Sequence, residues 1–166
     1  MDSCTKADAY RNLALVQKPN FQIFAIKEFF VRVEKLMQTH IKNKSINFKV
    51  SMEPQSLELV ADPELIEQVL INLLLNALHA VEGRKKAKID LNARLDGRGK
   101  ILLQVKDNGP GILEENLEKI FIPFYSTKEG GSGIGLSLSR QIMRLHNGFI
   151  GVHSEPNVET VFTLRF

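Results

Sequence analysis

The chain has 166 residues, of which 43% are hydrophobic and 25% are charged, and this is the balance of one globular domain with its own core. Its formal net charge is only +3 and its lysines and arginines are scattered, so the charge does not indicate nucleic acid as a partner. The single cysteine, Cys4, excludes an internal disulfide, and no apolar run approaches the roughly 20 residues that cross a bilayer. We therefore expect a domain of a reducing compartment, the cytoplasm.

Residues 1–20 are polar, lack clear periodicity and end in Lys18-Pro19-Asn20, so we interpret them as a linker or the end of an upstream helix. The globular domain is expected over residues 21–166. Apolar periodicity and turn residues predict its elements in chain order: a helix from Ile26 to about Asn43, strands at 46–50 and 57–60, a helix from Pro63 to about Glu82, a hairpin of strands at 89–95 and 101–105, a short helix near 114–120, a helix from Gly133 to about His146, and strands near 149–153 and 160–166. Because hairpins are mixed with helices, the expected fold is α+β, a two-layer sandwich in which helices cover one face of a mixed sheet.

Polar side chains interrupt the apolar helix that starts at Asp62-Pro63, where an aspartate N-cap precedes a proline at the first helical position. Asn72 and Asn76 are four residues apart and His79 follows three residues later, so all three project from one face. Amide oxygens can bind a magnesium ion that carries nucleotide phosphates. Alternatively, the two asparagines only satisfy neighbouring backbone groups, and this pair does not decide between the two interpretations.

Two glycine-rich segments follow. Residues 107–111, Asp-Asn-Gly-Pro-Gly, come directly after a strand, so the glycines permit close approach to a ligand and Asp107 can accept a hydrogen bond from an amine such as that of adenine. An ordinary surface turn is the alternative. Residues 130–136 open a helix and so present backbone N–H groups to phosphate, with a flexible hinge as the alternative. This second segment fits neither the P-loop nor the dinucleotide-binding fingerprint, so another kind of nucleotide site is predicted.

Four segments, taken together and in this order, resemble the motifs of one protein family. Residues 62–77 resemble the N box of histidine kinases, 107–111 the G1 box, 120–128 the F box and 131–136 the G2 box. The resemblance covers about residues 20–166 and is to the catalytic ATP-binding domain of two-component sensor histidine kinases, the HATPase_c domain of the GHKL superfamily. It implies the Bergerat-type ATP-binding fold.

The resemblance also implies a site for ATP and Mg²⁺. Asn76 would bind the magnesium and, with Asn72, form the catalytic part of the site, while Asp107 would hold the adenine amino group. The other nucleotide-binding residues that it implies are His79, Ala80, Gly109, Gly111, Ile112, Ile120, Phe121, Thr127, Lys128, Gly131, Ser132, Gly133, Ile134, Gly135, Leu136 and Thr160. Residues 121–130 would form a mobile lid anchored by Phe124.

Two positions depart from the family pattern. His79 stands where the family often has a phosphate-contacting lysine, and a histidine is only partly charged at neutral pH. Glu159 precedes Thr160 where the family usually has glycine, so the loop before that strand is expected to differ.

As function, the resemblance implies transfer of the γ-phosphoryl group of Mg-ATP to a histidine on an adjacent dimerisation domain, which then serves a response-regulator receiver domain. None of the four histidines lies in a sequence like a phosphoacceptor box, so the acceptor is expected elsewhere in the parent protein. We expect a monomeric isolated domain and a homodimeric parent, whether or not that parent is anchored in a membrane. The alternatives are an ATPase of the gyrase or mismatch-repair type, which resembles this N box but has a glutamate where Asn72 stands, and a nucleotide-binding module without turnover.

Overall fold

The computed structural model describes residues 17–42, 45–127 and 131–166. The helices and strands of these ranges are β1 (Gln22–Ala25), α1 (Ile26–Ile41), β2 (Ile46–Glu53), β3 (Glu58–Ala61), α2 (Pro63–Ala80), β4 (Ala87–Leu95), β5 (Ile101–Asp107), α3 (Glu114–Leu117), a 3₁₀ turn (Lys119–Phe121), α4 (Gly135–Leu145), β6 (Phe149–Glu155) and β7 (Glu159–Arg165). Strand β1 has no counterpart among the predicted elements. Its four residues do not alternate between buried and exposed, and Ile23 is 70% exposed, so the sequence carries no strand signal there.

The main sheet has five strands in the order β2-β4-β5-β7-β6, and β1 pairs with β3 in a separate two-stranded ribbon. Strands β2 and β4 are parallel, because α2 returns the chain across the sheet between them, whereas the other neighbours are antiparallel. The sheet is therefore mixed, and the predicted α+β fold is confirmed.

The core lies between one face of this sheet and the helices. Along β4 the side chains of Ala87, Ile89, Leu91 and Ala93 are buried, while the residues between them face the other side of the sheet. Helix α2 packs against this buried face with an unusually wide apolar surface that includes Ile66, Val69, Leu70, Leu73, Leu74 and Ala77. A polar side chain on α2 consequently lies inside or beside the core, where it needs a specific partner.

The predicted start of α2 is confirmed. The carboxylate of Asp62 accepts hydrogen bonds from the backbone N–H groups of Glu64 (3.0 Å) and Leu65 (3.1 Å), and Pro63 follows it.

The predicted linker is described only from residue 17, and residues 17–20 have no regular secondary structure. Residues 1–16, with Cys4, lie outside the described part, so the domain boundary at residue 20 stays a prediction. Within the described ranges, no helix has both the length and the apolar character that crossing a membrane requires.

Candidate functional site

Asp107 is the last residue of β5 and is only 4% exposed. Its neighbours in the sheet are Ile89 on β4 and Thr160 on β7, and Thr160 is as buried as Asp107. One carboxylate oxygen accepts a hydrogen bond of 2.8 Å from the backbone N–H of Gly109. The carboxylate is thus oriented by the turn that follows it, at the end of the central strands.

The segment 107–111 passes directly over the end of α2. A Cβ at Gly109 would lie 2.6 Å from the Asp107 carboxylate and 2.8 Å from the Ala80 Cβ, so only glycine fits at this crossing. Ala80, which the resemblance places in the nucleotide site, therefore lies beneath the segment.

Side chains on both sides hold the segment 107–111 in place. The amide of Asn108 accepts from the backbone N–H of Lys88 (2.8 Å) and donates to the carbonyl of Lys86 (2.8 Å). The guanidinium of Arg84 donates to the carbonyl of Gly109 at 2.9 Å. These hydrogen bonds fix the conformation of the segment, so it is more than an ordinary surface turn.

Asn72, in the middle of α2, reaches across to α4. Its Nδ2 donates to Ser139 Oγ at 3.0 Å, and Ser139 Oγ in turn donates to the carbonyl of Gly135 at 2.8 Å. A Cβ at Gly135 would overlap the Asn72 side-chain oxygen, so the two helices touch at this point. Asn72 therefore bonds to a distant side chain, and the interpretation that it only satisfies neighbouring backbone does not hold for it.

The other two polar positions of α2 follow Asn72 along the helix. Asn76 is half-buried one turn further on, and His79 is exposed in the last turn. Asn76 thus lies between the contact with α4 at Asn72 and the contact with Gly109 at Ala80. These two contacts are eight residues apart on α2, a separation of about 12 Å along the helix axis.

Helix α4 begins at Gly135, two residues later than predicted. Ile134, just before it, is buried, whereas Gly131 and Ser132 are exposed. The carbonyl of Gly133 accepts a hydrogen bond of 2.9 Å from the backbone N–H of Phe124. The segment just before α4 is therefore hydrogen-bonded to the first part of the predicted lid, residues 121–130.

The aromatic anchor of that segment is Phe121. Its ring is 7% exposed and lies 5.6 Å from the guanidinium carbon of Arg140, which stacks over it from α4. Phe124, the predicted anchor, is 38% exposed, and its backbone N–H donates to the carbonyl of Gly133. Thr127 is exposed, and Lys128 lies outside the described residues.

The remaining predicted residues lie beside the elements described above. Ile112, Ile120 and Leu136 are half-buried and pack against the core. Two serines that the sequence-based prediction does not include contact predicted site residues: Ser139 bonds to Asn72, and Ser154 lies within hydrogen-bonding distance of Thr160. Their partners lie on other elements, and a lone serine has no signature that would reveal them.

The sequence matches the family model described as Histidine kinase-, DNA gyrase B-, and HSP90-like ATPase over residues 61–166. Among curated proteins, sensor histidine kinase ZraS of Klebsiella oxytoca is 34% identical over 143 residues, which are 86% of this chain and 30% of ZraS. Signal transduction histidine-protein kinase AtoS of Escherichia coli K12 is 38% identical over 129 residues, which are 78% of this chain and 21% of AtoS. The chain thus spans less than a third of the length of these two relatives.

Solved structures agree with these matches. The catalytic domain of histidine kinase ThkA superposes with a TM-score of 0.79 at 35% identity, over 89% of this chain and 95% of that domain. ThkA in complex with the response regulator protein TrrA gives a TM-score of 0.80 at 29% identity, over 98% of this chain and 47% of that chain. The chain therefore belongs to the family of histidine kinase-, DNA gyrase B- and HSP90-like ATPases, and its fold is that of a histidine kinase catalytic domain.

Proposed function

We propose that this chain binds Mg-ATP along α2 and donates the γ-phosphoryl group to a histidine on an adjacent dimerisation domain of the same protein. The observation that carries this proposal is that α2 meets the segment 107–111 at Ala80 and the start of α4 near Asn72, with Asn76 between them. An aspartate at one end, a helix N-terminus at the other and an amide between them match the amine, the phosphates and the metal of an extended nucleotide.

Each residue has a separate task in this proposal. Asp107 accepts a hydrogen bond from the exocyclic amine of adenine, and its burial strengthens that bond by excluding competing water. The first backbone N–H groups of α4, beginning at Gly135, have no partners within the helix and face the phosphates. The side-chain oxygen of Asn76 would hold Mg²⁺, which would help to neutralise the phosphate charge and needs few protein ligands.

The transfer itself needs little covalent chemistry from this chain. A lone pair on an imidazole nitrogen of the acceptor histidine forms a bond to the γ-phosphorus, the bond to the β,γ-bridging oxygen breaks, and ADP leaves with that electron pair. The other ring nitrogen keeps its proton during this step. The chain contributes by positioning the phosphates and stabilising their charge.

The relatives suggest the partners of the parent protein. ThkA has been solved with the response regulator TrrA, and we propose that a receiver domain likewise takes the phosphoryl group from the parent of this chain. The dimerisation domain, the homodimeric parent and the monomeric isolated domain are parts of the same proposal.

Calorimetric titration with ATP, with and without Mg²⁺, tests nucleotide binding. Asp107→Asn should weaken ATP binding by about tenfold or more, because a charged acceptor is replaced by an amide that also carries donors. The matched control is Glu58→Gln, the same change from carboxylate to amide on the exposed side of β3. Equal ATP affinities of the wild type and Asp107→Asn would contradict the assignment of the adenine pocket.

A further inference from the structure

We infer that Ser154 is a positioning residue that makes the proposed pocket at Asp107 select adenine over guanine. This inference rests on the proposed nucleotide binding and extends it to the choice of base. The serine lies on β6, two strands away from Asp107, and it acts through Thr160 between them.

The three polar side chains form one row across the sheet. Asp107 on β5 pairs in register with Thr160 on β7, and Thr160 pairs with Ser154 on β6. Register partners share a face of the sheet, and Asp107 and Thr160 are both 4% exposed on the face that the helices cover. Ser154 Oγ lies 3.0 Å from Thr160 Oγ1, within hydrogen-bonding distance.

Ser154 Oγ has two possible acceptors for its single hydrogen. It accepts from the backbone N–H of Ile112 at 2.8 Å, and it lies 3.2 Å from the carbonyl of Glu159 as well as 3.0 Å from Thr160 Oγ1. A hydroxyl has one hydrogen and two lone pairs, so donation to Glu159 would leave Ser154 accepting from Thr160. Donation to Thr160, the shorter of the two contacts, leaves the hydrogen of Thr160 free to point at a ligand. The shorter distance favours this second arrangement, because O–H···O hydrogen bonds normally span about 2.5–3.0 Å.

The direction of that hydroxyl matters because a carboxylate alone does not distinguish the two purines. Adenine presents an amine donor beside N1, which is an acceptor, whereas guanine presents two adjacent N–H donors beside a carbonyl acceptor. Asp107 can accept from either base. A neighbouring hydroxyl that donates matches N1 of adenine and opposes the N–H of guanine, and Thr160 donates when Ser154 donates to Thr160.

The loop beside the pocket does not depend on Ser154 alone. The backbone N–H of Asn157 donates to the carbonyl of Pro110 at 2.8 Å, and Gly111, at a φ of +82°, packs closely on the backbone of Pro156. Removal of the Ser154 hydroxyl should therefore leave the fold and the loop in place. The expected effect is on the choice of base.

The experiment compares the affinities for Mg-ATP and Mg-GTP by calorimetric titration of the chain. Ser154→Ala should weaken ATP binding by about three- to tenfold, the worth of one hydrogen bond, with no matching loss for GTP. The ratio of the two affinities should therefore fall by the same factor. Ser154→Thr, which keeps the hydroxyl, should restore the ratio, and Ser51→Ala on the exposed side of β2 is the matched control.

The possible outcomes separate the two proposals. If the wild type binds neither nucleotide, the proposed function fails, and the inference fails with it. If the wild type binds ATP and GTP equally, or if Ser154→Ala weakens both to the same extent, Ser154 is only a structural support and the inference is wrong. Ser154→Cys, which keeps the volume but is a weak donor, gives the same comparison should the alanine variant prove unstable.

Discussion

Asn72 shows how one side chain can join two parts of a site. Its amide bonds to Ser139, whose own hydrogen goes to the carbonyl of Gly135 in the first turn of α4. Ser139 is 2% exposed and Asn72 is half-buried, so these bonds are shielded from water. The contact fixes where the first N–H groups of α4 lie relative to Asn76, the two groups that we propose to face the phosphates and the magnesium.

Gly135 is the position where this contact is most sensitive to a single methyl group. Gly135→Ala would place a Cβ on the Asn72 side-chain oxygen, and such overpacking costs about 1–3 kcal/mol of unfolding free energy. The measurement is urea unfolding of the wild type and the variant. Gly97→Ala is the control, because a Cβ there meets nothing within 4 Å, and surface changes of this kind stay within about 0.5 kcal/mol.

Combining Gly135→Ala with Asn72→Ala shows whether the loss of unfolding free energy in Gly135→Ala comes from this contact. With the amide gone, the added methyl has room, so most of its cost should disappear and the double mutant should be more stable than the sum of the single effects predicts. Additive effects of the two changes would mean that the helices do not meet here as described.

The sequence predicts Asn72, Asn76, Asp107 and the glycine segments because each carries a local pattern: a helical spacing, a strand end, a glycine run. It does not reveal Ser139 or Ser154. Ser139 meets Asn72 across 67 positions of the chain, and Ser154 meets Thr160 through strand pairing, so these contacts exist only in the folded protein.

Among the secondary-structure elements, the start of α2 is held from three directions. The Asp62 carboxylate caps the helix and also accepts from the backbone N–H of Asn20 at 2.8 Å, just before β1. The backbone N–H of Asp62 donates to Nε2 of His146 at 3.0 Å, at the end of α4. Nδ1 of His146 lies 2.8 Å from the carbonyl of Ile142, so Nδ1 is placed to donate to that carbonyl while Nε2 accepts from Asp62. One aspartate thus connects α2, α4 and the chain that enters β1.

Acid should weaken this junction. Partial burial raises the pKa of Asp62, but the backbone N–H groups of Asn20, Leu65 and Glu64 together outweigh it and hold the pKa below 3.8. A carboxyl group whose pKa is lowered by folding stabilises the protein above its unfolded pKa and loses this contribution as the pH falls through its folded pKa. We therefore expect unfolding free energy to be lost from about pH 3.8 downwards.

Asp62→Asn tests this expectation by acid titration of unfolding followed by circular dichroism. Asparagine caps a helix about as well as aspartate but does not titrate, so the variant should show a flatter loss of stability at low pH. Part of the slope should remain, because the backbone N–H of Lys100 is the main cause that lowers the pKa of Asp96 as well. An unchanged pH dependence in Asp62→Asn would show that this junction contributes nothing to acid stability.

Strand β1 could not be predicted from the periodicity of apolar residues. It is four residues long and pairs with β3, whose residues lie more than 30 positions later, as in the pairing of Gln22 with Ala61. A strand of this kind is specified by its partner and not by its own sequence. The longer helices and the 89–95 and 101–105 hairpin were predictable because their apolar faces repeat over many residues.

At the scale of the whole molecule, the group that attacks the γ-phosphoryl of the proposed nucleotide decides between hydrolysis and transfer. An amide such as Asn72 cannot take a proton from water near neutral pH, and general-base help is typically worth 10²–10⁴-fold. We therefore expect slow steady-state phosphate release by a chain that binds Mg-ATP well. Brisk magnesium-dependent turnover would instead favour the gyrase-type interpretation.

Transfer should replace hydrolysis once a histidine nucleophile is supplied, because an imidazole brings its own lone pair and needs no base to attack. None of the four histidines lies in a sequence like a phosphoacceptor box, and both ring nitrogens of His146 are engaged, so we expect no label on the chain itself. With labelled ATP and the parent's dimerisation domain added in trans, acid-labile and base-stable phosphate should appear on that domain, and Asp107→Asn should reduce it. If the isolated chain is labelled and His79→Gln abolishes the label, the acceptor histidine lies on α2. The proposal that a separate dimerisation domain carries the acceptor would then be wrong.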